Sequence, residues 1–298
     1  MTYAQGAEVL AADFNFFQSE VASIFNVGGS PNATYGYGQA TTIPTVSVGD
    51  VIRSHEWTLL RDAVVECAQH QGSTVSMPTD ATLAVGQFIL AFPPYSLNLP
   101  GSIATIIANR LTAAPSSLSL FANQLTSSRT ASWNTQVVHD FTVTFSDSNH
   151  ARYFFNSGGS INMRASLAEA TGSHQNNFWV KILNRIGSVS FAVNSTYNSY
   201  KSAAIGAYQM TSSFQLIFTE NSSTTYGFEY GGDNISIYAR ANTASQYEFQ
   251  IQFNDSHTGF SDVVSGTLSS NIDMTKATNP LTITSPTFAT VTPLTSGS

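Results

Sequence analysis

The spacing of apolar residues changes part of the way along this chain, and that change sets its fold class. Within the first 75 residues, large apolar side chains recur every three or four positions, which is the repeat of an amphipathic helix. From about residue 136 onward they alternate with polar side chains, which is the repeat of a half-buried strand. We therefore expect an α+β protein with a short N-terminal helical module followed by an all-β antiparallel sandwich.

The N-terminal region predicts two amphipathic helices that resemble copies of one unit. The first helix has an apolar face of Leu10, Phe14, Phe17, Val21 and Ile24. The second starts at the N-cap Ser54, ends at Gly72 and presents on one face Trp57, Leu60, Val64 and Cys67. In each helix an acidic residue directly precedes an aromatic one, which supports a duplicated element.

Helical faces this aromatic need a partner. Either the two helices pair as an antiparallel hairpin and form a small core of their own, or they also offer part of these faces to a neighbouring subunit. On the second hypothesis the assembly interface consists of Phe14, Phe17, Val21, Trp57, Leu60 and Val64.

Strand and turn signals follow from residue 136. The first strand places on one side Phe141, Val143 and Phe145. Residues 156–159 predict a hairpin turn between strands at 152–155 and 160–164, because glycine there supplies a positive φ. We expect further strands at residues 178–183, 188–193, 204–210, 214–219, 235–241, 247–254 and 263–272.

Four segments are expected along the chain. They are a helical attachment module (1–75), a connecting region (76–135) with short helices at 103–111 and 118–125, a β-sandwich (136–278) and an extended C-terminal tail (279–298). Within the sandwich, residues 141–148 resemble 249–256, as equivalent strands or as a common local solution. The uncharged tail is either an arm laid along a neighbour or a frayed end.

Charge is scarce for a chain of 298 residues. Only 10% of the residues are Asp, Glu, Lys or Arg, against about 25% in an average soluble protein. A surface built from Ser, Thr, Asn and Gln repels neighbours weakly, so it suits packing against copies of itself or other subunits. The net charge of −7 and the absence of a Lys or Arg cluster argue against a nucleic-acid partner.

The chemistry-bearing residues do not form a recognisable catalytic pattern, so we expect no enzyme and no cofactor. A nucleophile-elbow motif is absent, and the six histidines lack metal-ligand spacing. A calcium site from Asp147, Asn149 or Asp255 stays open beside their commoner role in turns. A sugar platform could be lined by Tyr197, Tyr200, Tyr208, Tyr226, Tyr230 and Tyr238, although such tyrosines are more often sheet and interface residues.

The N-terminus lacks the basic and apolar regions of a signal peptide, and no run of about 20 apolar residues occurs. We therefore expect synthesis in a cytoplasm and no membrane insertion. The single cysteine, Cys67, falls in an apolar helical pattern and is expected to be a buried, inert thiol.

Several phrases of the sequence resemble those of one group of proteins. The most specific is the stretch from Phe141 to Gly159, which contains Arg152-Tyr153-Phe154-Phe155-Asn156-Ser157-Gly158-Gly159. Earlier phrases are Ala12-Asp13-Phe14-Asn15, Tyr35-Gly36-Tyr37-Gly38-Gln39 and Val48-Gly49-Asp50-Val51-Ile52. Together they resemble uncharacterised virion structural proteins of tailed bacteriophages, particularly those of cyanobacterial and marine hosts.

This resemblance implies a place in the virion, as part of the tail, neck, baseplate or fibre apparatus. It brings no catalytic residues. Its expected partners are other phage virion proteins and copies of the same chain, in a homo-oligomer such as a trimer or hexamer. The alternative is a receptor- or glycan-binding module of a tail fibre, whose partner would be a host surface glycan.

Overall fold

The fold is described from a computed structural model, which covers residues 9–27, 34–76, 99–168, 173–221, 230, 232–256 and 263–291. The chain divides into two compact units. The helical unit comprises Met1–Ser119, Arg152–Gly158 and Ala277–Ile283, and the sandwich unit comprises Leu120–Ala151, Gly159–Lys276 and Thr284–Ser298. Helices at the N-terminus and two antiparallel sheets confirm the expected α+β class with a sandwich-like arrangement.

The helical unit contains the two long helices that the sequence predicts. They are α1 (Ala11–Phe25) and α2 (Ser54–Gln71), and a shorter helix α3 (Leu99–Ala108) packs against both. The rings of Phe14 and Trp57 meet edge to face, with their centroids 5.4 Å apart. The two aromatic faces therefore cover each other, as expected for a helix pair that forms its own core.

The ends of α2 show one correction. Ser54 is the first helical residue and Arg53 is the N-cap; the Glu56 carboxylate accepts a 2.6 Å hydrogen bond from the Arg53 backbone N–H. This bond is the half of a capping box in which a side chain of the first turn accepts the N-cap backbone N–H. Glu56 therefore caps the helix, a role that we expected of Ser54. At the other end Gly72 terminates the helix in the left-handed conformation, with φ +68°, as predicted.

The sandwich unit contains most of two antiparallel sheets. The six-stranded sheet has the order β1 (Leu118–Arg129), β10 (Thr267–Ala277), β3 (Ser160–Ala168), β4 (Ser188–Phe191), β5 (Thr196–Tyr197) and β6 (Ser202–Ala203). The five-stranded sheet has the order β11 (Thr287–Thr290), β2 (Gln136–Thr144), β9 (Gln246–Asn254), β8 (Asn234–Thr243) and β7 (Gln215–Asn221). Two further helices are α4 (Ser148–Asn156) and α5 (His174–Ile186).

The core between the sheets is aromatic. Phe141 of β2 pairs with Phe249 of β9, and their rings stack with centroids 5.0 Å apart. Phe191, from the other sheet, meets Phe249 edge to face at 5.1 Å. The similar segments 141–148 and 249–256 therefore begin in neighbouring strands, and their corresponding residues Phe141 and Phe249 are in contact. Helix α5 adds to this core Trp179, Ile182, Leu183 and Ile186.

Several expected elements have a different structure. Residues 118–125 belong to strand β1 and not to a helix, while residues 152–155 and 178–183 lie in helices α4 and α5 and not in strands. A short aromatic run is compatible with a helix or a strand, so the residues that precede it determine which forms. Here Asp147 and Ser173 each accept a backbone N–H hydrogen bond that caps the start of the following helix. The expected turn at 156–159 is the end of α4, where Gly158 has φ +84°.

Two smaller differences concern the linking and tail segments. Residues 204–210, expected as a strand, include a 3-10 turn at Ala207–Gln209 after the short β6. In the described part of the tail, Leu281 and Ile283 are buried in the helical unit, and β11 pairs with β2.

Candidate interaction surfaces

The six residues expected at an assembly interface are all buried within their own chain. Their side chains are at most 1% exposed, and they are Phe14, Phe17, Val21, Trp57, Leu60 and Val64. They form the core of the helical unit, so their faces are not open to a neighbouring subunit. Any surface that meets another subunit consists of other residues.

The polar groups inside the helical unit hold its helices together. The Tyr37 hydroxyl donates a 2.8 Å hydrogen bond to the Arg110 carbonyl and accepts one of 3.0 Å from Gln71 Nε2. The ring of His70 packs edge to face on Tyr37, and burial lowers the pKa of His70 to about 4. Cys67 is buried as predicted, and burial raises the pKa of its thiol. These groups are therefore neutral structural elements.

The helical unit also has one partly enclosed cleft. Its volume is about 190 Å³, and its lining includes the apolar residues Phe25, Ile43 and Leu59 together with Asp62 and Glu66. Asp62 is paired with the Arg61 guanidinium, and partial burial raises the pKa of Glu66. A small cationic group would fit these carboxylates, but nothing in the cleft marks a particular ligand.

Ser146, Asp147 and His150 lie together at the start of α4 without forming a hydrolase triad. Both the Ser146 hydroxyl and the Asp147 carboxylate contact the same ring nitrogen, Nδ1 of His150. A triad needs the serine on one ring nitrogen and the acid on the other, so no proton relay passes through this imidazole. Asp147 also accepts the His150 backbone N–H at 2.9 Å, which makes it a helix cap.

Asp255, the other residue considered for calcium, belongs to a buried pair of carboxyl groups. Its side chain hydrogen-bonds with Asp233, and its Oδ1 accepts a 2.7 Å hydrogen bond from Gln175 Nε2. Burial, followed by the Asp233 charge, raises the pKa of Asp255 to about 7. Burial and the Asp233 charge therefore favour the protonated form of Asp255. Among the described residues, no group of three or more His, Cys, Asp or Glu could hold a metal ion.

The outer face of the five-stranded sheet carries a row of uncharged amides and hydroxyls that hydrogen-bond to one another across the strands. Gln136 donates to Asn254 at 2.6 Å, and Asn254 donates to Asn234 at 2.8 Å. Gln246 donates to Thr144 at 3.0 Å. We call this the amide face and define it by Gln136, Thr144, Asn234, Gln246, Gln250, Gln252 and Asn254.

Charged groups on the amide face are few: one ion pair and one acidic side chain, Asp140. Arg240 of β8 donates to the Glu248 carboxylate of β9 at 2.6 Å, and its guanidinium lies 4.5 Å from the ring centroid of Phe214. Asp140 lies on the same face, where burial and the neighbouring Glu248 raise its pKa to about 6. The face therefore offers hydrogen bonds with little net charge.

The sheet edges differ in how well they are protected. In the six-stranded sheet, β6 has only two residues, whereas β1 at the opposite edge has 12, none of them fully buried. In the five-stranded sheet, β11 has four residues, and β7 contains a register shift and carries the Lys201 ammonium on its Thr219 carbonyl. Short strands, bulges and edge lysines are the devices that stop edges from pairing.

The tyrosines proposed as a sugar platform are spread over different environments. Tyr197 and Tyr200 are each 42% exposed near β5, Tyr208 and Tyr238 are half-buried, and Tyr230 is buried against Phe178. Tyr226 lies outside the described residues. Sequence reasoning missed the amide face, although its signal was visible: glutamines alternate with buried Phe249, Ile251 and Phe253 along β9.

The fold and these surfaces define an α+β protein with aromatic cores and a charge-poor exterior. No family model, no curated protein and no solved structure matches the chain. In the part of the chain that the structure describes, no helix is both long and apolar enough to span a membrane.

Proposed function

We propose that this protein is a structural component of a tailed-bacteriophage virion, part of the tail, neck, baseplate or fibre apparatus, and that it acts by protein–protein assembly. The observation that carries the proposal is the amide face. Its side chains are both donors and acceptors, and its strongest charges are already paired within the sheet. Apart from the Asp140 carboxyl group, such a face can meet another subunit without the cost of burying an unpaired charge.

The sequence phrases around residues 141–159 support the same proposal through their resemblance to virion structural proteins. The low charge of the whole chain agrees with it, because subunits packed in many copies benefit from weak mutual repulsion. Both observations support the proposal that the protein is part of the virion.

The test is protein identification in gradient-purified phage particles from an infected culture that expresses this chain. We expect the chain to sediment with the particles and to survive a wash in high salt, since the amide face carries little net charge. A chain that stays in the soluble fraction while known coat and tail proteins sediment would overturn the proposal.

A matched pair of variants tests whether the amide face makes the contact. Gln252→Glu adds one charge to the face without changing its shape, whereas Gln69→Glu adds the same charge to the exposed side of α2. We expect only the first to reduce incorporation into particles. Loss of host-cell adsorption with normal incorporation would instead favour the receptor- or glycan-binding alternative.

A further inference from the structure

Among the described residues, no strand pairs with the outer edge of β1. In the described part of the chain, β1 is the last strand of its sheet and is hydrogen-bonded only to β10. Cross-strand side-chain hydrogen bonds of 2.9 Å, from Thr126 to Asn271 and between Ser128 and Ser269, fix it on that side. The backbone groups of the other side therefore point away from the sheet.

Asn123 interrupts the extended conformation of β1. It has a left-handed backbone with φ +53°, and its N–H donates to the Asp273 carboxylate at 2.6 Å. Residues 124–129 continue as an extended strand whose side chains are exposed or half-buried. The other three edges are short, bulged or covered by Lys201, so β1 is the least protected edge among the strands that the structure describes.

We propose that residues 124–129 of β1 pair antiparallel with the same residues of a second copy of this chain, across a two-fold axis. The inference rests on the proposed function as a protein that assembles. Antiparallel self-pairing is the isologous arrangement, in which one edge provides both halves of the contact. It would join two six-stranded sheets into one continuous sheet.

The side chains along the edge favour a second copy as the partner. Gln124, Thr126 and Ser128 can each donate and accept a hydrogen bond, so they can bond to copies of themselves. Arg129 is the single charge of the segment. In a register centred on Thr126, which keeps opposed side chains on the same face of the joined sheet, Arg129 faces Asn123 of the other copy. No like charges then oppose each other, which is the condition that such pairing requires.

The oligomeric state of the purified full-length protein tests the proposal. We expect a concentration-dependent dimer in sedimentation equilibrium. Thr126→Lys should weaken this dimer at least about tenfold, because two added ammonium groups would lie close to the two-fold axis. The matched control is Thr287→Lys, an equally exposed threonine on the four-residue edge β11, which should leave the dimer unchanged.

A cysteine scan gives a second readout that does not depend on destabilising the strand. Cys67 is buried, so a cysteine placed at Gln124, Thr126 or Ser128 would be the exposed thiol. We expect mild oxidation to give a disulfide-linked dimer at one of these positions and not from a cysteine at Leu216 on β7.

Three outcomes would overturn the inference: a monomer at all concentrations, a dimer that Thr126→Lys leaves intact, or amide hydrogen exchange along residues 124–129 that dimer formation does not slow. A chain found in purified particles but monomeric in solution would reject β1 pairing and leave the proposed function standing. Conversely, a β1-paired dimer that never enters particles would reject the virion role alone.

Discussion

At the scale of single residues, the buried pair Asp233 and Asp255 makes stability depend on pH. Because the pKa of Asp255, about 7, lies above that of an unfolded Asp, about 3.9, the folded state favours the protonated carboxyl. Its stabilising contribution is present below the unfolded pKa and is lost as the pH rises through the folded one. We expect Asp255→Asn, which cannot ionise, to be about 1–3 kcal/mol more stable than the wild type at pH 8 and similar to it at pH 4. Urea unfolding at both values measures this.

A comparison within the same protein controls for the general effect of removing a carboxylate. Asp147 is exposed and caps α4, and the His150 backbone N–H lowers its pKa, so Asp147→Asn should not increase stability at pH 8. His70 and His139, each with a pKa near 4, contribute equally to both variants and cancel from the difference. A less stable Asp255→Asn protein at pH 8 would show that the fold needs this carboxylate ionised, for instance for a cation.

Residue patterns predicted the core well and the surface poorly. Phe14, Phe17, Trp57 and Leu60 fall on helical faces, and all are buried. The same pattern could not say what buries them, because an apolar face looks alike whether a neighbouring subunit or the chain itself covers it. The interface that we assigned to these residues is therefore core, and the exposed candidates are the polar residues of the amide face and β1.

At the scale of secondary-structure elements, the turn after α1 packs against α4 with no spare room. Gly38 has φ +69°, and a Cβ added there would lie 2.3 Å from a ring carbon of Tyr153. We expect Gly38→Ala to lower the free energy of unfolding by about 2–4 kcal/mol, because it adds both backbone strain and a steric clash. Chemical denaturation followed by circular dichroism measures the loss.

Gly49 supplies the control for that substitution. It also has a positive φ, +93°, but among the described residues no atom lies within 4 Å of an added Cβ. Gly49→Ala should therefore cost only the backbone strain, about 1 kcal/mol. Equal costs at both positions would show that Tyr153 does not pack on Gly38.

The elements that sequence reasoning identified correctly are those with long, regular periodicity. α1, α2, β8 and β9 each repeat their pattern over at least nine residues, so one period fits and the other does not. Helices α4 and α5 were mistaken for strands because short runs such as Tyr153–Phe155 contain too few positions to distinguish the periods. In α5, the spacing of Phe178, Ile182 and Ile186 was helical and could have been recognised.

At the scale of the whole molecule, the scarcity of charge predicts weak salt dependence. The chain has 11 basic and 18 acidic residues, and the ion pairs of its described part are mostly exposed on at least one side. Exposed pairs contribute about 0–1 kcal/mol each. We expect the melting midpoint to change by less than about 3 °C between roughly 50 and 500 mM sodium chloride.

Sodium sulfate at the same ionic strength provides the contrast. Sulfate strengthens apolar burial because it is excluded from protein surfaces, so it should raise the melting midpoint of this aromatic-rich fold where chloride does not. A large response to chloride alone would mean that the stability depends on charge interactions beyond those described.

The boundaries of the two units could not be predicted from the sequence. The helical unit continues to Ser119 and includes Arg152–Gly158 and Ala277–Ile283, which are remote along the chain. Local patterns report periodicity and turns, whereas this division depends on which distant segments touch. One contact that links such distant segments is the 3.2 Å hydrogen bond from Asn156 Nδ2 to the Gly36 carbonyl. Neither the composition nor the local pattern of the sequence indicates that these two residues meet.

Because the helical unit combines distant segments of the chain, its folding depends on the order of synthesis. A ribosome delivers residues in order, so the N-terminal helices emerge long before Ala277–Ile283, the last stretch that their unit requires. Helices α1 and α2 can pair earlier, because their aromatic faces cover each other, whereas Leu281 and Ile283 can join the core of the unit only after they have left the exit tunnel. We therefore expect the first third of the chain to reach its final packing only after Ala277–Ile283 has been synthesised.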